Sequence, residues 1–174
     1  MQKGVVRKRR PKPQSEYGRQ LQEKQDLKGQ YNLREKQFKG YVKEALGKSA
    51  HGDSPELFLQ KLERRLDNVI YRAGFAPTRR QSRQMVSHGH FMVNGKKMDI
   101  PSFEVKKGDV ITVRQASLER PLFKSILLLL KKYEAPLWLQ LNKEKPEITI
   151  QQLPSFAEAA PSVEIPLIFE FYSR

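Results

Sequence analysis

Cysteine is absent from the 174 residues of this chain, and so are long apolar runs. Without cysteine the chain can form no disulfide, no thiolate zinc site and no cysteine nucleophile, which is compatible with a reducing compartment. The longest apolar run, Ile126 to Leu130, is far too short to span a bilayer. No apolar stretch follows the basic N-terminus, which argues against a secretory signal.

Acidic residues are also scarce: the chain has 19 Asp and Glu against 33 Lys and Arg, a net charge of +14. Residues 1–50 hold 14 basic and 5 acidic residues, residues 51–116 hold 12 and 7, and residues 117–174 hold 7 of each. This gradient predicts a polyanion bound by the first two-thirds, with nucleic acid as the first candidate. An anionic membrane surface is the alternative, but the basic segments lack a long apolar face.

The N-terminal segment Arg7 to Gln14, RKRRPKPQ, is basic, contains two prolines and has no large apolar residue. It cannot bury surface by itself, so we expect residues 1–14 to form a disordered arm until a partner binds. A solvated tail is the alternative, but the dense local charge favours an arm that binds phosphates.

Helical patterns follow the arm. Ser15 is a candidate N-cap for a first helix, and Asn32, with Glu35 three residues later, resembles a capping box for a second. A third helix is predicted to begin with Ser54 as N-cap and to end at Gly74, with a bend between Arg64 and Asp67.

The segment from Ala76 to Lys97 holds five basic residues and two histidines but no acid. Thr78 is a good N-cap for a helix in its first half. Arg79 and Arg83 are four residues apart, so we expect them to stack on one outward face, with Arg80 alongside. Since no acidic residue balances them locally, this face is predicted to contact a polyanion.

A β-hairpin is predicted next, because strand-like residues flank the pair Asn94 and Gly95. The two-residue turn demands positive φ at both positions. Lys96 and Lys97 follow the turn, and we expect the hairpin to place them beside the arginine face. A further strand is predicted over Val110 to Arg114.

The C-terminal third predicts a helix from about Pro121 to Tyr133, with Ser117 as a possible cap, and then two strands, LWLQLN and EITIQQ, paired around a turn at 143–146. The last segment, VEIPLIFEFYSR, is ambiguous. Leu167, Phe169 and Phe171 alternate as in a strand, whereas Ile165, Ile168, Phe169 and Tyr172 fit a helix.

Four residues or pairs suggest chemistry, and each has a structural alternative. His88 and His90 are spaced for metal binding, but with no cysteine and His51 as the only other histidine a third ligand is doubtful, so RNA contact or capping of the helix end is favoured. Asp67 suits an ion pair better than acid catalysis. Trp138 is expected in the core rather than as a base-stacking platform, and for Phe91 burial and base stacking are equally open.

The segment from Arg65 to Arg114 closely resembles the RNA-binding module named after bacterial small-subunit ribosomal protein four. The likeness extends to YGRQLQEKQ and EKQFKGYVKEA in the first helical stretch, to PLWLQL, and to the terminal FEFYSR. It covers most of residues 15–174 and therefore implies the ribosomal protein family, not a borrowed module. Members usually carry a longer N-terminal segment, sometimes with a cysteine zinc site, so this chain resembles a short form for which no zinc is implied.

This resemblance implies a structural component of the small ribosomal subunit rather than an enzyme. Such a protein binds a junction in the five-prime domain of small-subunit ribosomal RNA early in assembly. It lies beside small-subunit proteins three and five, near the path by which messenger RNA enters, and influences translational accuracy. A cytoplasmic ribosome is expected, with an organellar ribosome as the alternative, and the resemblance implies no cofactor, no metal and no membrane.

Two other functional classes compete with that interpretation. The same module occurs in pseudouridine synthases, RNA methyltransferases and tyrosyl-transfer-RNA synthetases, but residues 115–174 lack a cofactor loop or a catalytic acid motif. A free RNA-binding regulatory or stress factor is the remaining alternative.

The predicted fold class is α+β. It comprises a disordered arm (1–14), a helical domain (15–63, completed by 163–174) and an antiparallel-sheet domain with packed helices (64–162) that carries the RNA-binding module (64–115). The predicted RNA-binding residues are Arg7, Lys8, Arg9, Arg10, Lys12, Tyr17, Arg19, Lys24, Arg65, Arg72, Thr78, Arg79, Arg80, Arg83, Gln84, His88, His90, Asn94, Lys96 and Lys97.

Overall fold

The computed structural model describes residues 15–47, 54–142, 144–159 and 162–173. Within these ranges, helices frame one small sheet, and the α+β class is confirmed. The elements in chain order are α1 (Glu16–Gln30), α2 (Glu35–Gly47), α3 (Ser54–Glu63), α4 (Leu66–Arg72), α5 (Arg79–Ser87), β1 (Phe91–Val93), β2 (Lys96–Met98), β3 (Val110–Val113), α6 (Gln115–Leu118), α7 (Pro121–Leu130), β4 (Leu139–Asn142), β5 (Glu147–Ile150), α8 (Phe156–Ala159) and α9 (Ile165–Ser173).

Helix α1 begins where the sequence predicted, because the Ser15 side chain accepts a hydrogen bond from the Gly18 amide at 3.1 Å. Its end corrects the predicted capping box. Asn32 has φ +52°, its amide donates to the Gly29 carbonyl, and the Leu33 amide donates to the Lys28 carbonyl. These bonds form a Schellman motif, so Asn32 terminates α1 and does not cap α2.

The predicted third helix is two helices, α3 and α4, separated at Arg64 and Arg65. The backbone there bonds to a distant loop: the Val105 amide donates to the Arg64 carbonyl at 2.9 Å, and the Leu66 amide donates to the Phe103 carbonyl at 2.8 Å. The bend predicted from sequence is therefore a complete break, because the peptide groups at this point pair with another part of the chain.

A five-stranded antiparallel sheet follows, in the order β2-β1-β3-β5-β4. The β1–β2 hairpin turns at Asn94 and Gly95, whose φ values are +48° and +78°. Both values are positive, as predicted for a two-residue turn of type I′. The predicted pairing of the two C-terminal strands is also confirmed, with Leu139 opposite Ile150.

Two apolar clusters organise the described residues. The first apolar cluster joins α1, α2, α3 and α9 around side chains such as Phe38, Phe58 and Ile168. The second apolar cluster joins α4, α5, the sheet and α7. Trp138 is only 1% exposed within the second cluster, so its predicted core role is confirmed.

Phe91 is buried in the second cluster and packs edge-on against Phe75 and Phe123, which settles the choice between burial and base stacking. At the C-terminus, α9 packs against α1, and the helical alternative implied by the resemblance is confirmed.

Helix α7 ends at Leu130, earlier than predicted, and its N-cap is Arg120, which makes no side-chain capping bond. Ser117 is not the cap, because its hydroxyl lies 2.9 Å from the His90 Nδ1. In the part of the chain that the structure describes, no helix is long and apolar enough to cross a membrane.

Candidate RNA-binding surface

Helix α5 carries most of the predicted contacts, and its local sequence fixes which side faces outward. The Thr78 hydroxyl accepts a hydrogen bond from the Gln81 amide at 3.2 Å and starts the helix as predicted. Ser82, Met85 and Val86 form the buried side. The opposite side exposes Arg80, Gln84 and His88, which are spaced four residues apart and so form one row.

This row, Arg80, Gln84 and His88, is here called the outer row. It borders an open groove of about 560 Å³ that also reaches Arg120 and Leu122, at the start of α7. The groove therefore combines two guanidinium groups with amide, imidazole and hydroxyl groups, which can bond phosphates and sugar hydroxyls. The sequence-based prediction did not include Arg120, because only the fold brings α7 next to α5.

Arg79 does not lie on the expected outward face. Its Nε donates to the Asn68 Oδ1 at 2.7 Å. Its guanidinium carbon lies 4.6 Å from the ring centre of Tyr31 and 4.4 Å from that of Tyr71. Arg79 is thus held between two aromatic rings, Tyr31 of the first apolar cluster and Tyr71 of α4, and contributes to packing through cation–π contacts.

Arg83 also turns toward the first cluster, which corrects the expectation that no acid balances it. Its Nε donates to the Asp67 Oδ2 at 3.0 Å, and its Nη1 donates to the Asn32 carbonyl at 2.6 Å. The fold supplies the acid from α4, and Asp67 is an ion-pair partner, as the sequence favoured.

Arg65 is the clearest correction among the predicted contacts, since it is 2% exposed. Its guanidinium donates to both Asp67 carboxylate oxygens, at 3.0 and 2.7 Å, and to the Tyr41 hydroxyl at 2.6 Å. Burial acts to lower the pKa of Arg65, but its bonds to Asp67 outweigh burial and raise that pKa. The side chain is fully engaged inside the protein and is removed from the accessible surface.

Arg72 serves a second internal network centred on Glu63, which is 1% exposed. Arg72 donates to both Glu63 carboxylate oxygens at 2.9 and 2.8 Å, Asn68 donates at 2.9 Å, and the Tyr31 hydroxyl donates at 2.5 Å. Burial, together with the Glu63 charge, raises the pKa of Tyr31, so the phenol remains a proton donor. These bonds join α1 to α3 and α4.

In the first cluster, Lys24 is also internal: it is 5% exposed and bonds Glu35 at 3.1 Å. Arg19 is accessible but paired with Glu164 at 2.6 Å. Tyr17 is 51% exposed and lies beside the Phe171 ring, at 5.6 Å between centroids.

The hairpin turn is built on Asn94, whose amide group donates to Asp109 at 2.9 Å and whose Oδ1 accepts from the Val110 amide at 2.9 Å. The lysines after the turn, Lys96 and Lys97, are both exposed. Lys97 pairs with Asp99 and lies over Gly89, where an added Cβ would clash with the Lys97 side chain. The hairpin thus meets the end of α5 at His88. The sequence analysis had expected it beside the Arg79 and Arg83 side chains, and that expectation is corrected.

The histidine pair separates into two environments. His88 is exposed, whereas His90 is 7% exposed, bonds Ser117 and packs edge-on against Phe123. Burial lowers the pKa of His90, and the charges of Arg120, His88 and Arg114 lower it further. The surroundings thus favour the neutral form of His90, and its side chain lies mostly inside, which corrects its expected place on the surface. Among the described residues, no group of three or more His, Asp or Glu side chains could hold a metal ion.

The remaining predicted contacts, Arg7, Lys8, Arg9, Arg10 and Lys12, lie outside the described residues, as does the whole predicted arm.

Two family models match the chain: the ribosomal protein S4/S9 N-terminal domain over residues 1–63 and the S4 domain over residues 64–111. The chain is 51% identical to small ribosomal subunit protein uS4 of Persephonella marina over 160 residues, which are 91% of this chain and 77% of that protein. It is 47% identical to uS4 of a Sulfurihydrogenibium species, with 91% and 78% covered. It is 45% identical to uS4 of Mesomycoplasma hyopneumoniae, with 95% and 80% covered. This identity extends over nearly the whole chain, beyond the S4 domain alone, and the chain belongs to the uS4 family of small-subunit ribosomal proteins.

Proposed function

We propose that this chain is a structural component of the small ribosomal subunit and binds its ribosomal RNA. The observation that carries the proposal is the 51% identity to a small-subunit ribosomal protein over 91% of the chain. The exposed, cationic side of the S4 domain supports it, because folded RNA is recognised largely through its shape, its phosphates and its 2′-hydroxyls. The relatives are small-subunit ribosomal proteins, which agrees with a structural role rather than a catalytic one.

We assign the RNA contacts to the accessible subset of the predicted residues. On the S4 domain, Thr78, the outer row and the hairpin lysines contact RNA, with Arg120 added from α7. Tyr17 and Arg19 extend the surface to α1, and the basic residues of the arm add phosphate contacts. Arg65, Arg72, Arg79, Lys24 and His90 are assigned to the scaffold that holds this surface, as is Asn94 in the turn.

We infer the specific role of the protein within the small subunit from its family resemblance. The protein nucleates assembly of the five-prime domain, contacts small-subunit proteins three and five, lies near entering messenger RNA in a cytoplasmic ribosome, and contributes to translational accuracy. We propose two domains that both face the RNA, residues 15–63 with 163–174 and residues 64–162. Most of each apolar cluster falls in one of these ranges, but Ala159 packs in the first cluster.

Sequencing the RNA crosslinked to the protein in cells tests the proposal. We expect the reads to concentrate in the five-prime domain of small-subunit ribosomal RNA, at a small number of neighbouring helices. Reads spread over messenger or transfer RNAs would contradict the proposal and favour a free RNA-binding regulatory factor.

A further inference from the structure

A small cleft lies between the two apolar clusters, apart from the outer row. Its volume is about 220 Å³, and it is lined by Arg34, Gln37, Arg65, Arg83, Pro101 and Ser102. Arg34 and Gln37 come from the start of α2, Arg83 from α5, and Pro101 and Ser102 from the loop that breaks α3 from α4. Both halves of the protein therefore contribute to one cleft.

The cleft carries an excess of positive charge. Three of its lining residues are arginines, and the carboxylate that meets this group among the described residues is Asp67. Asp67 is shared by Arg65 and Arg83, so one negative charge balances two guanidinium groups. The Arg34 side chain is exposed and makes no ion pair or hydrogen bond with the rest of the described protein.

One donor in the cleft is both buried and unsatisfied. Arg83 uses Nε for Asp67 and Nη1 for Asn32, but its Nη2 is inaccessible and has no hydrogen-bond partner. Leaving a buried donor of a charged group without an acceptor is costly, and native proteins rarely do so without a reason. Arg83 lines the cleft and its side chain is 26% exposed, so a small rotation of the side chain would bring Nη2 to an acceptor there and remove that cost. The positive charge of the cleft favours an anion as that acceptor.

We propose that this cleft binds one backbone phosphate of the RNA. The inference rests on the proposed function and adds a specific contact to it. Guanidinium groups present planar pairs of donors that match phosphate oxygens, and the bonds are charge-assisted. Arg34 donates to the phosphate, a rotation of the Arg83 side chain brings its unused Nη2 to the same phosphate, and Ser102 lines the same cleft.

Such a phosphate would act as a bridge. Arg34 belongs to the half of the protein built on the first cluster, and Arg83 to the half built on the second. One anion that bonds both arginines fixes the relative position of the two halves when RNA is bound, so the RNA stabilises the arrangement in which Arg79 and Glu63 already join them.

Ethylation interference tests the inference, because ethylating a phosphate removes its negative charge at one known position. The full chain is bound to an RNA of the five-prime domain, and three proteins are compared: wild type, Arg34→Gln and Lys43→Gln. Lys43 is an exposed cation of the same helix α2, outside the cleft, so it controls for the loss of one positive charge. Melting temperatures confirm that both variants fold.

We expect Arg34→Gln to bind about tenfold more weakly, the scale of one charge-assisted bond, and Lys43→Gln to lose about twofold or less. One or two ethylated positions should interfere with wild type and Lys43→Gln but no longer with Arg34→Gln. Equal affinities and identical interference patterns for the two variants would overturn the phosphate site and leave the proposed function standing. Failure of wild type to bind this RNA would overturn both.

Discussion

At the scale of single residues, the positive side chains divide according to the partners that the fold brings to them. Arg79 and Arg80 are neighbours in sequence, yet Arg79 lies between two tyrosine rings and Arg80 faces solvent. Charge and helical spacing identified this region as cationic, but they could not tell which side chains bond within the protein and which face solvent. The partners of Arg83 are 16 and 51 residues away in sequence, and only the tertiary structure brings them close.

Replacing Arg79 and Arg80 one at a time should distinguish the residue that stabilises the fold from the residue that contacts RNA. Arg80→Ala should weaken RNA binding by about 1–2 kcal/mol, the scale of a charge-assisted hydrogen bond, and leave the melting temperature unchanged. Arg79→Ala should lower the free energy of unfolding by about 1–3 kcal/mol, because it removes two cation–π contacts and the bond to Asn68. Calorimetry and RNA titration measure both quantities. Equal losses of stability in the two variants would contradict the division.

Glu35 gives a prediction about acid stability. Burial acts to raise the pKa of Glu35, but hydrogen bonds from Tyr172, Lys28 and Lys24 outweigh burial and lower that pKa from 4.5 to about 2. A lowered folded pKa means that its contribution is complete above about pH 4.5 and is lost as the pH falls toward 2. The effect should be modest, since the side chain is 46% exposed and screened by water.

Urea unfolding between about pH 5 and pH 2.5 checks this prediction. Wild type should lose stability over that range more steeply than Glu35→Gln, whereas Glu134→Gln, which removes an exposed carboxylate, should follow wild type. The same pH dependence in Glu35→Gln and wild type would show that Glu35 does not contribute.

At the scale of elements, local chemistry was a reliable guide wherever one or two residues decide the backbone. Ser15 and Thr78 cap their helices, and the pair Asn94 and Gly95 turns the hairpin, as the sequence predicted. The failed capping box has a physical reason: Asn32 tolerates positive φ as well as it caps, and the end of α1 uses that property. The sequence indicated only a bend near Arg64. The helix breaks completely there because its backbone bonds to the loop at Val105, which is 41 residues away in sequence.

The hairpin turn should respond differently to changes in backbone and in charge. Gly95→Val should lower the free energy of unfolding by about 1–3 kcal/mol through backbone strain alone, because φ is +78° and a Cβ there would meet no atom within 4 Å. Lys97→Ala should leave stability nearly unchanged, since its pair with Asp99 is half-exposed, but should weaken RNA binding. A Gly95→Val protein of normal stability would contradict the account of the turn.

At the scale of the whole molecule, buried ionic networks join the two apolar clusters. Glu63 accepts bonds from Tyr31, on one side, and from Asn68 and Arg72, on the other. The sequence did not predict this network, since its members are dispersed among other charged residues. The docking of α9 on α1 was likewise ambiguous in the residue pattern, and only the family resemblance favoured it.

Removing the central carboxylate should therefore weaken the whole molecule. Glu63→Ala leaves Arg72 without its buried partner and should cost about 3–5 kcal/mol, which corresponds to a fall in melting temperature of roughly 6–20 °C for a chain of this size. Glu164→Ala removes the carboxylate of the exposed pair with Arg19 and should cost about 0–1 kcal/mol. Similar melting temperatures for the two variants would contradict the role given to Glu63.

The central claim is that this uS4-family chain is an integral part of the small ribosomal subunit, bound through its cationic surface to ribosomal RNA. Quantitative mass spectrometry across a sucrose gradient of cell extract tests it most directly. The account predicts one copy of this chain per small subunit, retained after a moderate salt wash and released at high salt, because phosphate contacts weaken with ionic strength. A chain found mainly in the free fractions, or far below one copy per subunit, would contradict it.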